Sequence, residues 1–473
     1  MSKPEEQKVS RRKYLQIAGG TIAGLVVGGA LGYVAKPTVT APLEVVTSTV
    51  TGVAPPPPVT TAAAAKLTIA DYTGDTSWPK FYNDMPTEYM KMHPELQMVV
   101  DRLPSTVFDT KVLTALSART GAYDICHGTL DMEIGDYIAA GYVQTVDDYW
   151  TDQDKADFPP SILNTLTYKG HMMGWPTCTG VCFMFYRTDL FNDPKEKDGF
   201  KAKYGYDLTP PTSWGKEPDQ FLDVAQWFTR GDMFGTCLPF KPHDHTAGEQ
   251  FYNYCQQNGG TFLDENRKPV INSDQNVKTL QYLVDLVTKY KVTPSGVVTF
   301  SYTEMDELFA KGKIAFFHEW SYLYGVVPQI TGQTIDHNYD IAPIAAGPVK
   351  FWVTPAMRYN FIPSDSKNID AAAKYLQWLD RNKELTMAVS YDPEPSRLSV
   401  KDAAIAQQPA AKAYYDLLYD SYVKGGIYYV GPRIIAMTDI IEEEMSAAVS
   451  KMKTCKTALD DAQNRVSSLP GFG

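Results

Sequence analysis

Positive charge is in short supply: 44 Lys and Arg face 55 Asp and Glu, for a formal net charge of −11. A surface of that sign repels the phosphate backbone, which excludes nucleic acid as a partner and a basic patch lying on anionic lipid. Histidine occurs seven times and cysteine six times, and no cysteine precedes Cys126. That last absence excludes a lipid-modified cysteine at the N-terminus. The chain has no Asn-x-Ser/Thr sequon, so N-glycosylation of the usual kind is not expected. No Gly-x-Ser-x-Gly, His-Glu-x-x-His or phosphate-loop pattern occurs, which removes the common signatures of acyl hydrolysis, zinc proteolysis and nucleotide use. No catalytic residue and no cofactor is assigned, and no repeat of solenoid period is visible.

The N-terminal region carries the first positive signal. Arg11, Arg12 and Lys13 precede a stretch, Ile17 to Ala35, without a single charge. A basic start followed by an apolar run is the pattern of an export signal, and this run is about as long as a spanning helix requires. The Arg11-Arg12 pair resembles the twin-arginine export signal. Tyr33 makes the small-x-small pattern before a cleavage point at Ala35 a poor one, which favours a retained anchor through residues 17–35 with the remainder outside the cell membrane. Gly20, Gly24, Gly28 and Gly32 line one stripe of that helix, a spacing that suits either close helix pairing or an ordinary small-residue export segment. Residues 37–65 hold seven Thr, six Pro and one charged residue. They have too little to bury and read as an extended stalk, plain or O-glycosylated.

Residues 66–473 are long enough for two or three domains with their own cores. The stretch 66–75 reads as a strand, 78–95 as a helix stopped at His93-Pro94, and 96–103 as a strand. A helix follows over 108–121, with Val112, Leu113 and Leu116 inward and Gly121 as its stop, then a strand within 122–131. This alternation predicts an α/β fold with right-handed crossovers and a parallel sheet, and with ligand beyond the carboxyl ends of the strands, near 71–75 and 128–131. Further on, 276–292 has a helical apolar face, 303–313 a helix capped by Thr303, 314–322 a strand, and 370–380 a helix capped by Asp370. The six cysteines allow 15 complete pairings, and Cys178 with Cys182 reads either as a bridge or as two buried thiols.

Several stretches carry a family resemblance. "YDICHGTLDMEIGDYIAAGYVQTVDDY" (123–149), "NGGTFLDENRKPVINSDQNVKTLQYLVDLVTKYKV" (258–292), "FAKGKIAFFHEW" (309–320) and "PSRLSV" (395–400) follow one another in a familiar order. The chain resembles the extracellular solute-binding proteins of ABC importers, in the sugar-binding group related to maltose-binding protein. The resemblance implies an α/β, two-lobed periplasmic-binding-protein fold of type II character, with hinge crossovers and a central ligand cleft. It places the first lobe at 66–180 and 353–395 and the second at 184–350 and 400–473. Crossovers fall near 181–184, 351–357 and 395–400. The implied partners are a small-molecule solute, in the first place a saccharide, and ABC permease subunits.

The same resemblance places Tyr72, Asp75, Asp131, Trp175, His243, His245, Glu319, Trp320, Arg358 and Tyr359 where the family contacts ligand. Carboxylates and amides accept from sugar hydroxyls, and aromatic faces cover C–H patches. Each residue has a plainer role beside this one. Asp75 also suits a turn at Gly74, Asp131 a helix cap, and Trp175 packing at the lobe junction. "VTPAMRYN" (353–360) stands where many relatives have a Gly-rich turn with Trp, and an Arg there also admits an anionic solute. His243, His245 and Glu249 suggest a metal, but two His at i, i+2 in a loop do not define a coordination sphere, so no metal is assigned. Rival readings are an exported glycoside hydrolase, which needs two carboxylates facing across a cleft, and a sensor ectodomain on the same fold.

Overall fold

The computed structural model describes residues 65–73, 78–324, 338–390, 394–429 and 431–472. The anchor at 17–35, the stalk as far as residue 64, and Asp75 lie outside the described residues. Among the described residues, no helix is long and apolar enough to cross a membrane.

Two sheets organise the chain. The first is ordered β2-β1-β3-β10-β6, from β1 (Ala65–Thr73), β2 (Leu96–Pro104), β3 (Ile125–Leu130), β10 (Ala356–Phe361) and β6 (Trp175–Gly180). β1 runs parallel to β2 and β3, as the strand–helix alternation predicts. β10 is antiparallel to both β3 and β6, so the sheet is mixed rather than parallel throughout. The second sheet is antiparallel and ordered β8-β7-β9, from β8 (Phe316–Trp320), β7 (Cys182–Arg187) and β9 (Tyr339–Ala342). A small hairpin of β4 (Thr167–Tyr168) and β5 (His171–Met172) precedes β6.

Helix ends follow local chemistry and correct several expectations. The helix Ser105–Ala118 stops at Arg119, which adopts the left-handed conformation, and not at Gly121. Leu113 on that helix is 44% exposed, whereas Val112 and Leu116 are buried. The helix Tyr302–Ala310 begins after Ser301 rather than Thr303, because Glu304 reaches back to accept from the Ser301 N–H at 2.9 Å. Ile369–Ser390 is one long helix, in which Asp370 pairs with Lys374 and does not cap.

The chain passes from the first sheet to the second through one residue, the fully buried Val181, between β6 and β7. Hydrogen bonds fix this junction. The Val181 N–H donates to Ser321 Oγ at 3.1 Å, and the Ser321 hydroxyl donates to the Glu394 carboxylate. The Thr179 N–H donates to the Glu394 carbonyl at 3.3 Å, Thr179 Oγ1 pairs with Ser396 Oγ at 2.9 Å, and the Tyr422 hydroxyl donates to the Thr179 carbonyl. A Cβ on Gly180 would stand 3.2 Å from the Glu394 carboxylate, a tight contact that would require Glu394 to give by a few tenths of an ångström.

One hydrophobic core lies around the first sheet and the junction, and a second joins the helices Thr246–Gln257, Asp274–Thr288, Ile434–Val449 and Cys455–Ser467. The helices Leu398–Gln407 and Lys412–Lys424, grouped with the second lobe by the resemblance, pack in the first core through Val400, Ala404, Tyr414 and Leu418. Five cysteines (126, 182, 237, 255 and 455) are buried free thiols, so Cys182 is not bridged.

Next to the junction a nest of carboxylates surrounds Arg397, which is 6% exposed. Its guanidinium reaches Asp157 at 3.0 Å, Asp154 at 3.3 Å and also Asp380, with Glu384 at 3.9 Å. Glu384 in turn accepts from the Arg397 N–H at 3.0 Å. Burial pushes both Asp380 and Glu384 upward in pKa. Burial also raises Asp306, which accepts from the Tyr322 hydroxyl, to about 7. Removing the cation leaves buried carboxylates uncompensated. We therefore expect Arg397→Met to lower the unfolding free energy by about 3–5 kcal/mol in urea titrations at pH 7.5. The loss should shrink at pH 5, where the acids can take up protons. In the unsubstituted protein these raised acids hold protons that the unfolded chain has already released. Their contribution is complete below about pH 4 and is lost as pH rises through about 7. Denaturation midpoints should accordingly fall from pH 5 to pH 8, and Asp306→Asn should flatten the decline. A flat profile in the unsubstituted protein would contradict the assignment.

Candidate functional site

The carboxyl end of β3 lies at the edge of the first sheet where β6 leaves it, since Leu130 pairs with Arg358 and Gly180 with Ala356, and β8 ends at Trp320 opposite Cys182, the residue after Val181. On the first sheet, the Arg358 guanidinium stacks over the Tyr72 ring at 4.4 Å from its centroid. Arg358 Nη1 donates to the Gly128 carbonyl at 2.8 Å, and Arg358 stands opposite Leu130 in the β3–β10 register. Tyr72 is further held edge-on by Phe108 at 5.6 Å. A half-buried aromatic face with a cation beside it results, at the strand ends where an α/β sheet accepts ligand. Asp131 begins the helix Asp131–Ala139 directly after β3, which puts it at the same level.

On the second sheet Trp320 ends β8, half-buried and opposite Cys182. Glu319 precedes it on the opposite face of the strand and is fully buried. One of its carboxylate oxygens accepts from the Trp320 N–H at 2.8 Å, and the other has no hydrogen-bond partner. Burial raises the Glu319 pKa well above the ordinary carboxylate value, and the charge of nearby Asp306 adds to this.

The two halves touch beside this region. The Arg433 N–H donates to Asp136 Oδ1 at 3.0 Å, and a Cβ on Gly135 would fall 2.1 Å from the Gly431 carbonyl oxygen. That approach requires glycine at position 135. His243 and His245 lie in the loop before the helix Thr246–Gln257, both with left-handed backbone (φ 60 and 66). His243 contacts Asp439 at 3.2 Å and Glu443 at 3.1 Å on the helix Ile434–Val449. Burial lowers the His245 pKa. Its Nδ1 is buried without a hydrogen-bond partner.

Two residues expected to touch ligand are core residues instead. Trp175 is 1% exposed and stacks on Trp150 at 6.1 Å. Tyr359 is fully buried on β10, and its hydroxyl donates to the Thr165 carbonyl. Strand alternation sends Arg358 to one face and Tyr359 to the other, so both cannot line one cleft. Asp71 on β1 is buried 3.6 Å from His127 on β3. The structure adds Asp306 and Tyr322 behind Glu319, and Asp439 and Glu442 beside the histidines. Their partners lie far away in sequence, so no local motif marks them. Open cavities of about 880 and 680 Å³ lie elsewhere, beside Arg397 and between β9 and the helix Lys412–Lys424, and neither is lined by an expected contact residue.

Comparison with known proteins gives this geometry its context. The model of the family described as bacterial extracellular solute-binding protein matches residues 70–384. A probable ABC transporter-binding protein of Deinococcus radiodurans is 22% identical over 332 residues, covering 67% of this chain and 74% of that protein. The maltotriose-binding protein of Pyrococcus abyssi is 21% identical over 353 residues, covering 72% and 69%. The maltose-bound MalE3 protein of T. maritima superposes with a TM-score of 0.70 at 20% identity, over 85% of this chain and 99% of that one, so the two share the two-lobed α/β fold. With the family model matched over most of the length and the paired sheets joined at Val181, the chain belongs to the bacterial extracellular solute-binding proteins.

Proposed function

We propose that this chain is the receptor of an ABC importer, held outside the cell membrane by residues 17–35 on a Thr/Pro stalk, and that its solute is a sugar or oligosaccharide. The observation that carries the reading is the placement of Tyr72 and Arg358 at the strand ends of one sheet and of Trp320 at the strand end of the other. Aromatic faces with adjoining hydrogen-bonding groups match the alternating C–H and hydroxyl surface of a saccharide. The relatives named for maltotriose and maltose support the same class. Asp131 joins these residues by its place at the end of β3, and Asp75 by its sequence position. Lobes at 66–180 with 353–395 and at 184–350 with 400–473 close about the crossovers, except that the helices Leu398–Gln407 and Lys412–Lys424 go with the core around the first sheet. Closure needs a solute that binds the closed arrangement more tightly than the open one. The protein would hand its solute to permease subunits chemically unchanged. Arg358 favours a second reading within the class, a sugar bearing a carboxylate.

Calorimetric titration with maltodextrins, arabino-oligosaccharides and uronic-acid oligomers tests both readings. One neutral series should bind; preference for the acidic series would favour the second reading. Trp320→Ala should weaken binding about tenfold or more, since a stacked aromatic contributes on the order of 1 kcal/mol beyond its buried area. Its melting temperature should stay close to that of the parent. Steady hydrolysis of any oligomer by pure protein, or unchanged affinity in the variant, would overturn the assignment.

A further inference from the structure

We propose that His245, Asp439 and Glu442 form a binding site for a divalent first-row transition-metal ion. One donor atom from each of the three residues lies within 4.8 Å of the other two. Bonds of about 2.0–2.2 Å place ligand atoms roughly 3–4 Å apart, so an ion would draw the set inward by about 1 Å. Asp439 is part-exposed, its side chain 29% accessible.

The donor that needs explaining is His245 Nδ1. It is buried and has no hydrogen-bond partner, a costly state for an imidazole nitrogen, on a ring that brings one of its two nitrogens to the carboxylates. The carboxylates are held in place for it. Glu442 is fully buried and accepts from the Gly248 N–H at 2.9 Å and the Asp244 N–H at 3.1 Å, which ties its helix to the loop that carries His245. Asp439 lies one helical turn before Glu442 and so presents to the same side.

Charge points the same way. Four carboxylates gather here: Asp244, Asp439, Glu442 and Glu443. Lys241 pairs with Asp244 at 3.2 Å and Arg465 pairs with Glu443. Among the described residues, neither Asp439 nor Glu442 has a Lys or Arg ion pair. One imidazole with two carboxylates suits Zn²⁺ or Mn²⁺, whereas Ca²⁺ and Mg²⁺ prefer all-oxygen spheres. His243, at 3.2 Å from Asp439, would orient that carboxylate. Asp109 of the first half and the Arg433–Asp136 bond lie close by, so the ion would sit beside the contact between the two halves.

The test uses the full chain in mild detergent, stripped with chelator and dialysed. Mn²⁺ binding is followed by loss of its free paramagnetic resonance signal, and Zn²⁺ binding by calorimetry. One ion per chain is expected. Asp439→Asn and His245→Gly should each weaken it at least tenfold; glycine suits the left-handed backbone at 245. Circular-dichroism melting of both variants establishes that they fold. Three results would overturn the site: no saturable binding at about 1 mM ion, affinity unchanged in both folded variants, or tighter binding of Ca²⁺ or Mg²⁺. No solute enters the measurement, so its outcome is separate from that of the sugar assignment.

Discussion

Everything in this molecule depends on how tightly the chain is held where it leaves one sheet for the other. Val181 is the whole connection between β6 and β7, and Ser321 ties it to Glu394. Three segments far apart in sequence thus meet at one buried hydrogen-bonded cluster. Two bodies that must move as units need a short, well-defined link, because a long flexible one would spend binding free energy on ordering itself. Gly180 fits the same logic: the strand passes so close to Glu394 that a Cβ there would press on its carboxylate.

Around the junction the protein accumulates buried charge. Arg397 with its carboxylates is one such group, and Asp306 with Glu319 of β8 is another. A buried ion cluster adds little net stability but disfavours any arrangement that separates its members. Such clusters suit a protein whose halves are internally rigid and whose motion is confined to the connection. The same burial that fixes these groups raises the acids, so stability, and with it the ease of opening, becomes a function of pH.

The residues proposed to meet solute and the histidine loop offer two different chemistries. Tyr72, Arg358 and Trp320 offer aromatic surface and hydrogen-bonding groups. His245, Asp439 and Glu442 offer a compact set of metal donors beside the Gly135–Gly431 approach. Ligands of quite different chemistry would therefore act on the same opening coordinate, each through its preference for the closed arrangement.

The sequence by itself determined the alternation of strand and helix, the parallel pairing of β1 with β2 and β3, and the family. Periodicity and segment order are local properties that survive without coordinates. The family resemblance named Tyr72 and Trp320, and the structure puts both near the ends of their strands. What only the tertiary structure decided was which side of a strand each neighbour takes. Trp175 and Tyr359 turn into the core, Glu319 is sealed behind Trp320, and Leu113 faces solvent. The antiparallel insertion of β10 between β3 and β6 was likewise beyond reach, since its partners lie more than 170 residues earlier in the chain. His245 shows the reason most directly. As one of two histidines in a loop it carried no metal assignment, and the carboxylates that surround it come from a helix almost 200 residues later, brought there by packing that no local pattern records.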